Sequence, residues 1–120
     1  NSSAASDVYK RQVLVRLALR AIENMRGDKF QILLSEDDRA RWGARLPGQI
    51  ADAVKRERGR EVEVELSDEK LDARGGLVVR SADGRQLADQ TFPRRLERLW
   101  DQLRVELAGM LPDSWERHHE

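Results

Sequence analysis

Between Gly75 and Arg98 the chain reads Gly75-Gly76-Leu77-Val78-Val79-Arg80-Ser81-Ala82-Asp83-Gly84-Arg85, then Asp89-Gln90-Thr91-Phe92, then Arg95-Leu96-Glu97-Arg98. Few arrangements accommodate that order. A double glycine feeds a short apolar strand, Leu77 to Arg80, where a missing Cβ opens backbone geometries closed to other residues. Ser81-Ala82-Asp83-Gly84 reads as a hairpin turn, with Gly84 able to supply a positive φ, and Arg85 to Ala88 reads as the returning strand. Asp89 or Thr91 then caps a helix from about Phe92 to Leu111. Its apolar residues Phe92, Leu96, Leu99, Trp100, Leu103, Leu107, Met110 and Leu111 fall within an arc of roughly 120 degrees, a normal core stripe. Pro93 is tolerated because it stands in a first helical turn.

As a pattern, this segment resembles the C-terminal domain of the E subunit of the vacuolar and archaeal-type (V/A-type) rotary ATPases. In that family a Gly-Gly-aliphatic strand, an Asp-Gly-Arg turn and an Asp-Asn-Thr-like lead-in to an Arg-Leu-Glu helix follow one another at this spacing. Here Gln90 stands where asparagine is common, and Pro93 where an acidic residue is common. The resemblance covers about residues 13 to 111 and is strongest after Gly75.

A chain of 120 residues with 39% hydrophobic and 37% charged content fits one modest domain. Its 22 basic and 22 acidic residues cancel, so no long-range field draws it to phosphate backbones or anionic lipid. The absence of cysteine excludes disulfide frameworks and thiolate chemistry, and is compatible with a reducing cytoplasm. No apolar run approaches the roughly 20 residues that span a bilayer, so direct membrane insertion is not expected. Residues 1–12, opening on a Ser- and Ala-rich stretch, read as a disordered leader or one of cloning origin. Residues 13–111 read as the globular domain, and 112–120 as a disordered tail whose His118 and His119 lack partners spaced for a rigid metal site.

A helix is expected from about Val8 to Met25. Leu17, Ala21, Leu14, Met25, Ala18, Ile22, Val15 and Leu19 fill an arc of roughly 200 degrees, twice what one core-facing stripe needs. One packing partner does not cover it. Either its own domain buries the helix from two sides or another chain shares it; in the second case Val15 and Leu19, at one margin, are expected to stay partly exposed and to be covered by a partner helix. The resemblance implies that this position is the end of a long N-terminal stalk helix, absent from this sequence, as in a C-terminal fragment or a truncated chain.

Phe30, Ile32 and Leu34 alternate with Gln31 and Leu33 in a strand closed by Ser35. Ser35 is the expected N-cap of the next helix, whose Glu36, Asp37 and Asp38 complement the positive dipole end. Three successive carboxylates point in different directions, which argues against a cation site. Gly43 and Leu46-Pro47 interrupt that helix, and a second piece from Pro47 to Arg58 buries Ile50, Ala51 and Val54 and stops at Gly59. Glu61-Val62-Glu63-Val64-Glu65-Leu66 alternates cleanly and puts three glutamates on a solvated face. No Gly-Lys-Ser or Gly-Lys-Thr follows Gly75-Gly76, so neither a cofactor, a metal nor bound nucleotide is expected, and no catalytic residue stands out.

The expected fold is α+β, a small mostly antiparallel sheet with helices packed on one face, in the order α-β-α-α-β-β-β-α. The resemblance implies a non-catalytic stator domain, cytoplasmic and peripheral to a membrane-bound complex. It also implies two partners, a B-type catalytic-head subunit and a small coiled-coil stalk subunit of the G/H type. Arg80, Arg85, Arg94, Arg95 and Arg98 are not required by the core stripe and are the candidate head contacts, with Val15 and Leu19 the candidate stalk contacts. Two rivals stay open at this point. One is a stator protein of a flagellar or type III export ATPase; the other is a KH-like nucleic-acid module, against which stand the zero net charge and the lack of a Gly-x-x-Gly clamp between the two middle helices.

Overall fold

The computed structural model describes residues 2–73, 75–92 and 102. Its elements are α1 (Ser2–Glu23), β1 (Lys29–Leu33), α2 (Glu36–Trp42), α3 (Leu46–Arg58), β2 (Glu63–Leu66), β3 (Gly76–Ser81) and β4 (Leu87–Thr91). That is the expected α+β order as far as β4. Apart from Phe92 and Gln102, the expected last helix and the tail, with Arg94, Arg95 and Arg98, lie outside the described residues.

The strands run β2-β1-β3-β4 across a four-stranded sheet. β1 pairs antiparallel with β3, and β3 with β4, as expected. β1 and β2 pair in parallel, with Phe30 opposite Val64 and Ile32 opposite Leu66. The sheet is therefore mixed. The cause is the connection between them: parallel neighbours need a long crossover, and the α2–α3 pair supplies one, whereas the short Ala82-Asp83-Gly84-Arg85 region suits a hairpin.

Register then sorts the side chains. Phe30, Ile32, Leu77 and Val79 share one face with Val64, Leu66 and Ala88, and they join Leu14, Ala18, Ile22, Leu46, Ile50 and Val54 of α1 and α3 in a single core. In α3 the buried alanine is Ala53 rather than the expected Ala51, one turn from Ile50 and adjacent to Val54. Glu61, Glu63 and Glu65 are exposed, as the alternation requires.

Glycine is obligatory at Gly76. Its φ is +82°, and a Cβ there would stand 2.3 Å from the Gln90 carbonyl oxygen and 2.7 Å from the Thr91 Cα. At Gly84 the demand is conformational alone: φ is +75° in the β3–β4 turn, with nothing crowding it.

α1 begins at Ser2, ahead of the expected start near Val8. Ala4 and Ala5 favour helix, no glycine or proline interrupts the segment, and the first described side chains are anchored on α2. Asp7 meets Arg41 at 3.0 Å and Lys10 meets Asp38 at 3.7 Å.

Candidate partner-binding surfaces

The hairpin turn is braced by its own side chains. The Ser81 hydroxyl donates to Asp83 Oδ1 at 2.6 Å, the Arg85 amide donates to the same oxygen at 3.0 Å, and the Gln86 amide donates to Ser81 Oγ at 3.0 Å. The bonds to Asp83, the hydroxyl's first, hold its carboxyl below the usual range. Asp89 is lowered likewise by the Thr91 hydroxyl and amide, so its carboxylate caps the end of β4. The result is a preformed turn from which the exposed Arg85 projects near the exposed Leu87.

Arg80 and Arg85 part company here. Arg80 donates to Glu69 Oε2 at 3.1 Å, Gln31 Oε1 at 2.9 Å and Ser67 Oγ at 3.3 Å, and its side chain is 23% exposed. This corrects the expectation that it is available to a partner carboxylate. Sheet register sets it beside Gln31, where it ties β1 and β3 to the segment after β2.

A similar division separates Val15 from Leu19. Val15 is half-buried against the core, as expected. Leu19 is only 2% exposed, which corrects the expectation that it stays accessible. The sheet on one side and α3 on the other cover more of the apolar arc than a single partner covers, so the exposed margin moves elsewhere on α1. It lies at Tyr9, Val13 and Leu17, spaced four apart along one helix row: Tyr9 is 53% exposed and the other two half-exposed. These residues line a groove of about 730 Å³ between α1 and α3, together with Val15, Arg11, Arg16, Arg20, Arg56 and Glu57. Arg16 donates to Glu57 Oε1 at 2.5 Å across it, and this bond is the main reason the Glu57 carboxyl lies below its usual range.

Two further features have no counterpart in the sequence pattern. Ser35 does cap α2, its hydroxyl accepting from the Asp38 amide at 3.3 Å, but Asp38 is not a solvated dipole partner. Its residue is 2% exposed, and Oδ2 has no hydrogen-bond donor. Burial pushes its carboxyl above the usual range, against the opposing pull of Lys10, Ser35 and Arg41. The second feature is the α1–β1 corner. Arg60 donates to the carbonyls of Ile22 at 2.8 Å, Met25 at 3.3 Å and Gly27 at 2.8 Å. The Gln86 side chain accepts from the Arg26 amide and donates to its carbonyl, both at 2.8 Å. No periodicity marks an arginine or glutamine that bonds to distant backbone, so no sequence signal points to either.

Among the described residues, no group of three or more His, Cys, Asp or Glu side chains could hold a metal ion. No described helix is long and apolar enough to cross a membrane.

The molecule is thus defined by a long helix packed on a small mixed sheet, fastened to α2 near its N-terminus and by Arg60 and Gln86 at its C-terminal corner, with its chemistry in surfaces. The family described as ATP synthase (E/31 kDa) subunit matches residues 2–111, and the chain belongs to that family. Among its relatives is the E subunit of an A-type ATP synthase from Thermococcus kodakarensis, 33% identical over 110 residues, which are 92% of this chain and 53% of the relative. Another, of the same description, comes from Desulfurococcus sp. (strain SY), 31% identical over 99 residues, 82% of this chain and 48% of the relative. The chain spans about half the length of these curated relatives.

Proposed function

We propose that this domain is the non-catalytic, peripheral-stalk part of a V/A-type rotary ATPase, holding the stalk to the catalytic head while the complex pumps ions or makes ATP. The family match over residues 2–111 carries this reading. It favours the ATP synthase over the export-apparatus and KH-like alternatives. The architecture agrees with a load-bearing role, since α1 is bonded to the rest of the domain at its C-terminal corner by Arg60 and Gln86 and near its N-terminus by Asp7 and Lys10.

On this reading the head, a B-type subunit, is met on the hairpin side. Arg85 is the described residue best suited to pair with a partner carboxylate there, with Arg94, Arg95 and Arg98 the further candidates from sequence. Arg80 contributes by stiffening that side, and Leu19 by packing, while Val15 remains a candidate contact for a G/H-type stalk helix.

The test is co-purification. Tagged full-length chain, expressed with the other subunits of its ATPase, is expected to bring down the B-type and G/H-type subunits in fixed stoichiometry. Recovery of neither would overturn the proposal.

A further inference from the structure

We propose that the open edge of β2 takes an added strand from a partner protein, an extended segment in which basic and apolar residues alternate. The inference does not rest on the stalk reading, and the surface lies across the sheet from the hairpin.

β2 is an outer strand, with β1 as its neighbour in the sheet. The Glu63 and Ser67 amides donate to the carbonyls of Asp28 and Ile32 at 2.7 and 2.9 Å, so the odd-numbered residues of this parallel pair bond to β1. The amides and carbonyls of Val62, Val64 and Leu66 therefore point out of the sheet. Such an unpaired row is the template on which a further strand is added. β4, the other outer strand, is blunted by its own side chain, because Asp89 Oδ1 accepts from the outward Thr91 amide at 2.9 Å. Among the described residues, no side chain does the same for Val62, Val64 or Leu66. There is also room, since a cleft of about 370 Å³ opens beside the start of β2, lined among others by Asp28, Asp52, Lys55, Glu61 and Glu63.

Side chains select the occupant. An added strand carries on the alternation of the sheet, so each of its residues shares a face with the β2 residue opposite. Val62, Val64 and Leu66 are only half-buried against the core and favour apolar neighbours. Glu61, Glu63 and Glu65 are exposed on the other face and favour basic ones. Of these three, only Glu61 has an ion pair among the described residues, with Lys55 at 3.3 Å, and both side chains of that pair are well exposed. A second copy of this chain fits poorly, because pairing β2 with itself sets glutamates against glutamates. The row that repels a copy attracts a basic strand.

The experiment titrates the full chain with short capped peptides while amide exchange is read by NMR. One peptide alternates Lys and Val, a second alternates Glu and Val, and a third has the Lys–Val composition with the alternation broken. The alternating Lys–Val peptide is expected to bind at least about tenfold more tightly than either control, and to weaken as salt rises. Once it is bound, the Val64 and Leu66 amides are expected to exchange at least about fivefold more slowly, while those of Glu63 and Ser67, already bonded to β1, change little. Glu63→Lys and Glu65→Lys, both at exposed positions, are each expected to weaken binding about two- to fivefold with the melting temperature unchanged. Together they are expected to swap the preference toward the Glu–Val peptide. Two further Lys–Val peptides are N-methylated, one on each set of alternate residues; strand addition requires that one loses binding and the other keeps it. Equal binding of the alternating and broken peptides, no slowing at Val64 and Leu66, or an equal effect of the two methylation patterns would overturn the proposal. So would slow exchange at those amides that depends on protein concentration alone, which assigns the edge to a second copy. Co-purification with the ATPase subunits is a separate test: its failure removes the stalk reading and leaves the strand site, and failed peptide binding does the reverse.

Discussion

Both ends of α1 carry ion pairs, but only the C-terminal one adds side-chain bonds to backbone. At the C-terminal corner, Glu23 pairs with Arg58, and Arg60 and Gln86 bond to backbone atoms of residues 22–27 where the helix gives way to the turn. Near the N-terminus, the fastening is ionic. Asp7 and Arg41 face solvent, while Lys10 approaches a buried Asp38 without saturating it. A charge-assisted bond to a fixed backbone carbonyl is insensitive to the acidity of its acceptor, whereas an ion pair follows pH and salt. Besides its Glu23–Arg58 pair, the corner therefore keeps bonds that pH and salt leave in place, and the N-terminal half shows only ion pairs among the bonds described above.

The comparison breaks most readily at Arg60. Arg60→Ala removes three bonds to carbonyls, of which that of Ile22 still accepts from the Met25 amide at 3.0 Å, and is expected to cost about 1–2 kcal/mol, read from urea denaturation. Arg60→Lys is expected to recover less than half, since one ammonium cannot reproduce the planar spread of the guanidinium. A loss below about 0.5 kcal/mol for the alanine variant would mean the corner is held by packing alone. Gln86→Ala removes two neutral bonds at an exposed site, for an expected cost of about 1 kcal/mol. Amide exchange at Arg26 should accelerate in that variant, while the amides of β1 keep their protection.

At the other end, Asp38→Asn sharpens the contrast because the expected sign is favourable or neutral. Asp38 titrates above its unfolded value when folded, so its stabilising contribution is complete below the unfolded value and is lost as pH rises through the folded one. Wild type should therefore lose stability relative to Asp38→Asn as pH rises above about 4, and the variant should match or exceed wild type once the carboxyl has ionised. Destabilisation by about 1 kcal/mol or more at neutral pH would show instead that the ionised carboxylate is a net anchor. The smallest effect belongs to Arg41→Ala, which breaks an exposed pair and should cost no more than about 0.5 kcal/mol, vanishing in high salt.

Whatever a local pattern encodes is legible along the chain. Alternation places Val62, Val64 and Leu66 inward and the glutamates outward. Ser35 marks the start of α2, and the Asp83-Gly84 pair marks the hairpin. The spacing of residues 75 to 98 identifies the family that the match over residues 2–111 bears out. The breadth of the apolar arc on α1 also signals more than one packing surface, but it does not say which margin stays exposed, and Leu19 lies on the covered side.

The sequence by itself thus determined the α+β class, the order of elements from α1 to β4 and the family, because periodicity, caps and turn residues act over a few neighbours. Only the tertiary structure decided that β1 and β2 run parallel, that Arg80 is bound internally and Asp38 buried, and which row of α1 faces the groove. Those outcomes depend on residues far apart in the chain meeting in space, 11 to 49 positions apart in the bonds of Arg80. No spacing rule along the chain encodes such a meeting; the crossover of α2 and α3 and the register of the sheet bring it about.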